Sequence, residues 1–224
     1  MLEHPTRRKL SYAQGPPMTP AFTSPTQPEE VFTFWLGDGM TRGWPSEEMN
    51  ERWFKGGKAL DAHIKQQFGA AVDAALSGEL QAWDASPAHR LALIILLDQF
   101  PRNIYRGTAR AFAGDARAQL LVLSTLETNA DQQLPTVARV FLYMPLMHAE
   151  NLGLQDACVA CFEQLHGSAP AELAERLQSN LDFARQHRDI IARFGRFPYR
   201  NAVLGRVNTR EEENFLANGP RFGQ

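Results

Sequence analysis

From Pro28 onward, apolar residues recur at three- and four-residue intervals, broken by Gly and Pro at helix-length distances, a pattern that favours helices over alternating strands. "PEEVFTFWLG" reads as a short helix ended by Gly37, and "SEEMNERWF" opens on Ser46, expected as an N-cap before an acidic first turn. After Gly56 and Gly57 a longer helix runs to Gly78. Ser86 and Pro87 supply an N-cap and a first helical position for "HRLALIILLDQ". Further helices are expected over about 109–128, 135–151, 154–166, 170–194 and 209–217, the last opening on a Thr209/Glu212 capping box. The expected fold class is all-α, with antiparallel helical hairpins in one compact domain.

A chain of 224 residues, 44% of them hydrophobic, has material for one sizeable core, and 29–218 is expected to be that single all-helical domain. Residues 1–28, rich in Pro, Ser, Thr and Gly and without an apolar period, are expected to be a flexible arm, and 219–224 a C-terminal tail. A net charge of −2 argues against nucleic acid as a partner. The longest aliphatic run, "LALIILL" at 91–97, suits a buried helix and is too short for a membrane span. Arg7 and Arg8 are followed by "SYAQGPPMTP" where an export signal needs an apolar stretch, so a cytoplasmic location is expected.

Two helices end in nearly the same way, in "DQFPRNIYR" and in "RFGRFPYRN". Pro101 disfavours helical backbone at Phe100, so the first helix is expected to stop near Gln99 and to present Arg102, Asn103 and Arg106 from a rigid turn. Gly195 suits a left-handed C-terminal cap, after which Pro198 fixes a turn carrying Arg196, Tyr199, Arg200 and Asn201. Such arginines either complement the helix C-termini or form an anion site, because guanidinium forks match carboxylates and phosphates. His187 lies on the apolar stripe Leu173, Leu177, Ala184, Ile191, and His148 follows the stripe Val137, Phe141, Met144, so both imidazoles are expected to point inward. Pro145 frees the Phe141 carbonyl as a structural partner for such a histidine, while Asp98 and Glu150 nearby would make a polar pocket.

Other constellations fall short. Cys158 and Cys161 lack a second cysteine pair and fit two small core residues on one helix face; Glu163 and His166 form one Glu-x-x-His where a di-iron bundle needs two. Neither a metal nor a cofactor is called for, since phosphate-loop, dinucleotide and hydrolase motifs are lacking.

"FTFWLGDG", "LALIILLDQFPRNIYRGTARAFAGD", "FLYMPLMHAENLGLQ" and "FARQHRDIIARFGRFPYRNAVLGR" together resemble the bacterial family called domain of unknown function 924, over about Val31 to Leu216. The resemblance implies a tetratricopeptide-like helical fold and brings no catalytic assignment. Asp98, Gln99, Arg102, Asn103, Arg106, His148, Glu150, His187, Arg196, Arg200 and Asn201 match the family pattern; Tyr199 stands where a histidine is common and Ala149 where a serine is common. A repeat of about 34 residues is not found.

Two functional classes compete. One is a module in which Arg102, Asn103, Arg106, Arg196, Arg200 and Asn201 bind a small anionic molecule or a peptide carboxylate. The other is an enzyme in which His187 or His148 is the general acid or base, oriented by Asp98 or Glu150. A protein-interaction scaffold with a protein partner is a third, marked by an exposed apolar groove.

Overall fold

The aliphatic run forms the middle of the central helix. In the computed structural model, which describes residues 25–219, this helix spans Pro87–Ile104, and every side chain from Leu91 to Pro101 is buried. A helix enclosed on all sides needs no polar face, which is why the run reads as continuous rather than periodic. It is the fourth of nine α-helices among the described residues: α1 (Pro28–Leu36), α2 (Gly39–Arg42), α3 (Lys58–Ser77), α4, α5 (Asp115–Glu127), α6 (Thr136–Met147), α7 (Leu152–Gly167), α8 (Ala174–Phe194) and α9 (Arg210–Asn218). The described residues contain no strand, and the fold is all-α.

Helices α1, α3, α5 and α6 all pack on α4, while α7 packs between its chain neighbours α6 and α8. Trp35 of α1 meets Phe100 and Phe141 edge-on, with ring centroids 5.4 and 5.9 Å away. The segment between α2 and α3 forms a π-helical turn, Glu51–Lys55, held to α1 by the Trp53 indole N–H, which donates to the Trp35 carbonyl at 2.7 Å. At the C-terminal end of α8, Ile190 and Ile191 make a smaller apolar cluster with Phe197, which Phe215 of α9 joins through Phe194.

Several expected boundaries hold and several move. Ser86 caps α4 by accepting the His89 N–H, and the Thr209/Glu212 capping box is present. Gly195 takes the left-handed conformation at the end of α8, with φ +68°. Ser46 caps nothing, because both its backbone N–H and its hydroxyl donate to Asp38. The segment expected as helical over 109–128 splits into a 3-10 turn, Ala109–Phe112, followed by α5. The expected 135–151 helix ends at Met147, and the expected 170–194 helix starts at Ala174 behind a 3-10 turn.

The stop near Gln99 is corrected: α4 continues through Pro101 to Ile104. Pro101 lacks the N–H that would bond the Leu97 carbonyl, and Gly114 lies against that carbonyl, where a Cβ would sit 2.2 Å from the oxygen. Packing around a buried proline therefore outweighs its local preference. The expected arm lies, up to residue 24, outside the described residues, as does the tail from residue 220. No described helix is long and apolar enough to cross a membrane.

Candidate functional site

Where α4, α6 and α8 meet the segment around the π-helical turn, they enclose a cavity of about 790 Å³. Its lining falls into two groups. Trp44, Trp53 and Phe54 form an aromatic wall, joined by Val140, Met144 and Met147 of α6 and by Phe183 of α8. Gln99, Arg102, Asn103, His148, His187 and Tyr199 form a polar group, with Lys55, Arg106 and Arg176 as further cations. Among the described residues the lining contains no carboxylate. The carboxylates stand behind it.

Asp98 is one of these, with its side chain fully buried on α4. His148 sits at the C-cap of α6 with Nδ1 at 2.8 and 3.0 Å from the two Asp98 oxygens. Gln99 donates to the same carboxylate, and Arg102 lies 3.1 Å from it. Burial pushes the Asp98 carboxyl upward, but Arg102 and the bonds from His148 and Gln99 outweigh it and hold the group well below the usual carboxylate range. Burial, reinforced by the Arg102 charge, lowers His148 against the pull of Asp98. The pair is therefore a carboxylate accepting the Nδ1–H of a neutral imidazole, which leaves the Nε2 lone pair as an acceptor. That nitrogen makes no hydrogen bond among the described residues, and the ring lines the cavity.

The satisfied-core reading of His148 through the freed Phe141 carbonyl is thus replaced by Asp98, fifty residues away. The backbone around His148 is also held by side chains. Gln155 donates to the carbonyls of Met147 and Ala149 at 2.6 and 2.8 Å, and Arg200 donates to that of His148 at 3.1 Å. These bonds take up carbonyls that the end of α6 leaves open. Beside it His187 donates Nδ1–H to the Phe183 carbonyl one turn earlier at 2.8 Å, its ring 6.4 Å from that of His148. Burial above all holds it neutral, with a pKa of about 3.

The arginines are engaged from behind. Arg102 makes a two-pronged bond to Asp115, both contacts at 2.9 Å, and also donates to the Asp98 carbonyl. Arg106 grips Asp61 at 3.0 and 3.1 Å, and Asn103 donates to the same carboxylate. Arg176 reaches Glu48 at 3.3 Å and lies over Trp44. Lys55 makes no ion pair among the described residues. Arg200 is 4% exposed, sandwiched at 4.5 Å between the rings of Phe112 and Phe197, and lies behind the lining, as Asp98 does.

Arg196, Asn201 and Glu150 lie apart from the lining. Arg196 pairs with Glu212 on α9, while Glu150 accepts the Phe197 N–H and two bonds from Arg206. Asn201 is fully buried, accepting from Arg206 and donating to Asn208. Together they frame the turn that carries Tyr199 to the cavity. Two groups that sequence reasoning missed are Asp115, whose only signal is an acid in a helix first turn after Gly114, and the Trp44/Trp53 wall, which lies outside the helical stripes. Among the described residues no group of three His, Cys, Asp or Glu is placed to hold a metal. Cys158 is buried and Cys161 half-buried on one helix.

Residues 31–220 match the family described as bacterial protein of unknown function (DUF924). A solved structure of a protein of unknown function from Agrobacterium tumefaciens is similar at 34% identity and a TM-score of 0.72, covering 86% of this chain and 97% of that one. Among proteins with curated descriptions, none matches.

Proposed function

Because the chain belongs to this family of bacterial proteins of unknown function, its kinship supplies no reaction, and we propose from the cavity that it binds a small organic monoanion with an apolar body. The observation that carries this reading is a lining with cations and imidazoles, an aromatic wall and, among the described residues, no carboxylate. Arg102, Arg106 and Arg176 each have an acid behind them, so their charges are largely balanced, whereas Lys55 adds one cation without an ion pair among the described residues. One net positive charge beside amide donors suits a carboxylate, and the tryptophans and methionines suit a flat or aliphatic remainder.

The test is a titration of the purified protein with monocarboxylates of increasing apolar size and with their primary amides, read by tryptophan fluorescence and by melting temperature. Carboxylates should bind and raise the melting temperature, amides should not, and Lys55→Ala should weaken binding roughly two- to fivefold, equivalent to about 0.4–1 kcal/mol. Equal responses to acid and amide, or none across the series, would remove this reading.

A further inference from the structure

We propose that the cavity is a hydrolytic site in which His148 Nε2 is the general base, and that its substrate is a carboxylic ester of a small apolar acid; this rests on the binding reading for the acyl part. Three observations carry it. The Asp98 carboxylate at 2.8 Å fixes the tautomer that leaves Nε2 with its lone pair. His148 lines the cavity, and its Nε2 makes no hydrogen bond among the described residues. Finally, three successive carbonyls, of Met147, His148 and Ala149, are held by Gln155 and Arg200 from other segments, so the ring's position is set by bonds that do not depend on a ligand.

A purely structural histidine at a helix end needs one partner for its ring, and the Asp98 bond already provides it. The extra bonds restrain the backbone from which a reactive nitrogen projects. Water is the nucleophile in this scheme, because Ser179, the serine of the lining among the described residues, donates its hydroxyl to the Glu175 carbonyl and neither cysteine lines the cavity. Nε2 takes a proton from water as the new oxygen–carbon bond forms at the ester carbonyl. The tetrahedral oxyanion then collapses, the bond to the alkoxy oxygen breaks, and the imidazolium returns its proton to that oxygen. An alcohol and an acid leave, and the acid ionises to the kind of carboxylate that the cavity is read as binding. Asp98 does not touch substrate; it is a positioning residue that stabilises the transient imidazolium.

The experiment uses the full chain and fluorogenic esters of acetic to octanoic acid, with the matching carboxylates titrated in parallel. Hydrolysis should exceed buffer and free-imidazole rates and fall about a hundredfold in His148→Gln. Asp98→Asn, checked for folding by circular dichroism, should lower kcat at least tenfold with KM nearly unchanged, a split that mere loosening of the fold would not give. If either variant fails to fold, carbethoxylation of the folded wild-type protein replaces it: modification mapped to His148 by mass spectrometry should track loss of rate one for one. Undiminished hydrolysis in His148→Gln, or after His148 is modified, overturns the proposal. Carboxylate binding without any ester turnover overturns it and leaves the binding reading standing; absence of both removes the two together.

Discussion

His187 illustrates how one buried imidazole ties stability to pH. Its pKa lies near 3 in the folded protein against 6.5 when exposed, so between those values the unfolded chain binds the extra proton. Stability is therefore full above pH 6.5 and declines as the pH falls, by up to about 1.4 kcal/mol per pH unit. His148, also lowered, acts in the same direction, and Asp98, held low by Arg102, adds its own loss only below the ordinary carboxylate range. Urea midpoints measured from pH 8 to pH 4.5 should be flat at first and then fall, and His187→Gln should flatten the lower part; a wild-type midpoint unchanged at pH 4.5 would contradict this account. At this scale the sequence was informative about direction and left the pairing of partners open. Helical spacing pointed His148 and His187 inward, because one helix alone fixes which face a side chain takes. It offered Asp98 or Glu150 to either imidazole without assigning which, and gave no sign of Arg102 with Asp115, since those contacts arise only where separate helices cross.

Among the elements, α4 shows local preference yielding to packing. A proline three residues before its end leaves the Leu97 carbonyl without its helical donor, yet the helix persists because the run leading up to and including Pro101 is buried. The close approach of Gly114 to this carbonyl also starts α5 in the position from which Asp115 meets Arg102. Gly114→Ala should thus cost about 1–3 kcal/mol by forcing two backbones apart. A denaturant titration measures it, and an unchanged midpoint would mean that the approach is freely adjustable. The helices themselves were legible from apolar period and caps, as with Ser86 and Thr209. Ser46 was not: its role as a donor to Asp38 depends on a turn that brings the chain back on itself, which no capping pattern encodes.

For the whole molecule, the C-terminal segment closes the frame around the cavity. Glu150 is the pivot, since its carboxylate holds both Arg206 and the Phe197 N–H, and Arg206 in turn holds Asn201. Glu150→Ala should cost about 1–3 kcal/mol and speed amide exchange over residues 197–206 while leaving α4 protected. Uniform acceleration across the chain would show instead that the frame does not open separately. The all-α architecture could be read from the sequence because its cause is repetitive, whereas the frame and the cavity depend on single long-range ion pairs. Those ion pairs also set how the molecule meets its surroundings. With Arg102, Arg106 and Arg176 each matched by an acid, the cavity projects little more than the field of Lys55. Electrostatic steering grows with the unbalanced charge and fades with ionic strength, so capture of an anion here should be nearly indifferent to salt. Polyanions gain no advantage at such a mouth, and selection falls to shape at the moment of contact.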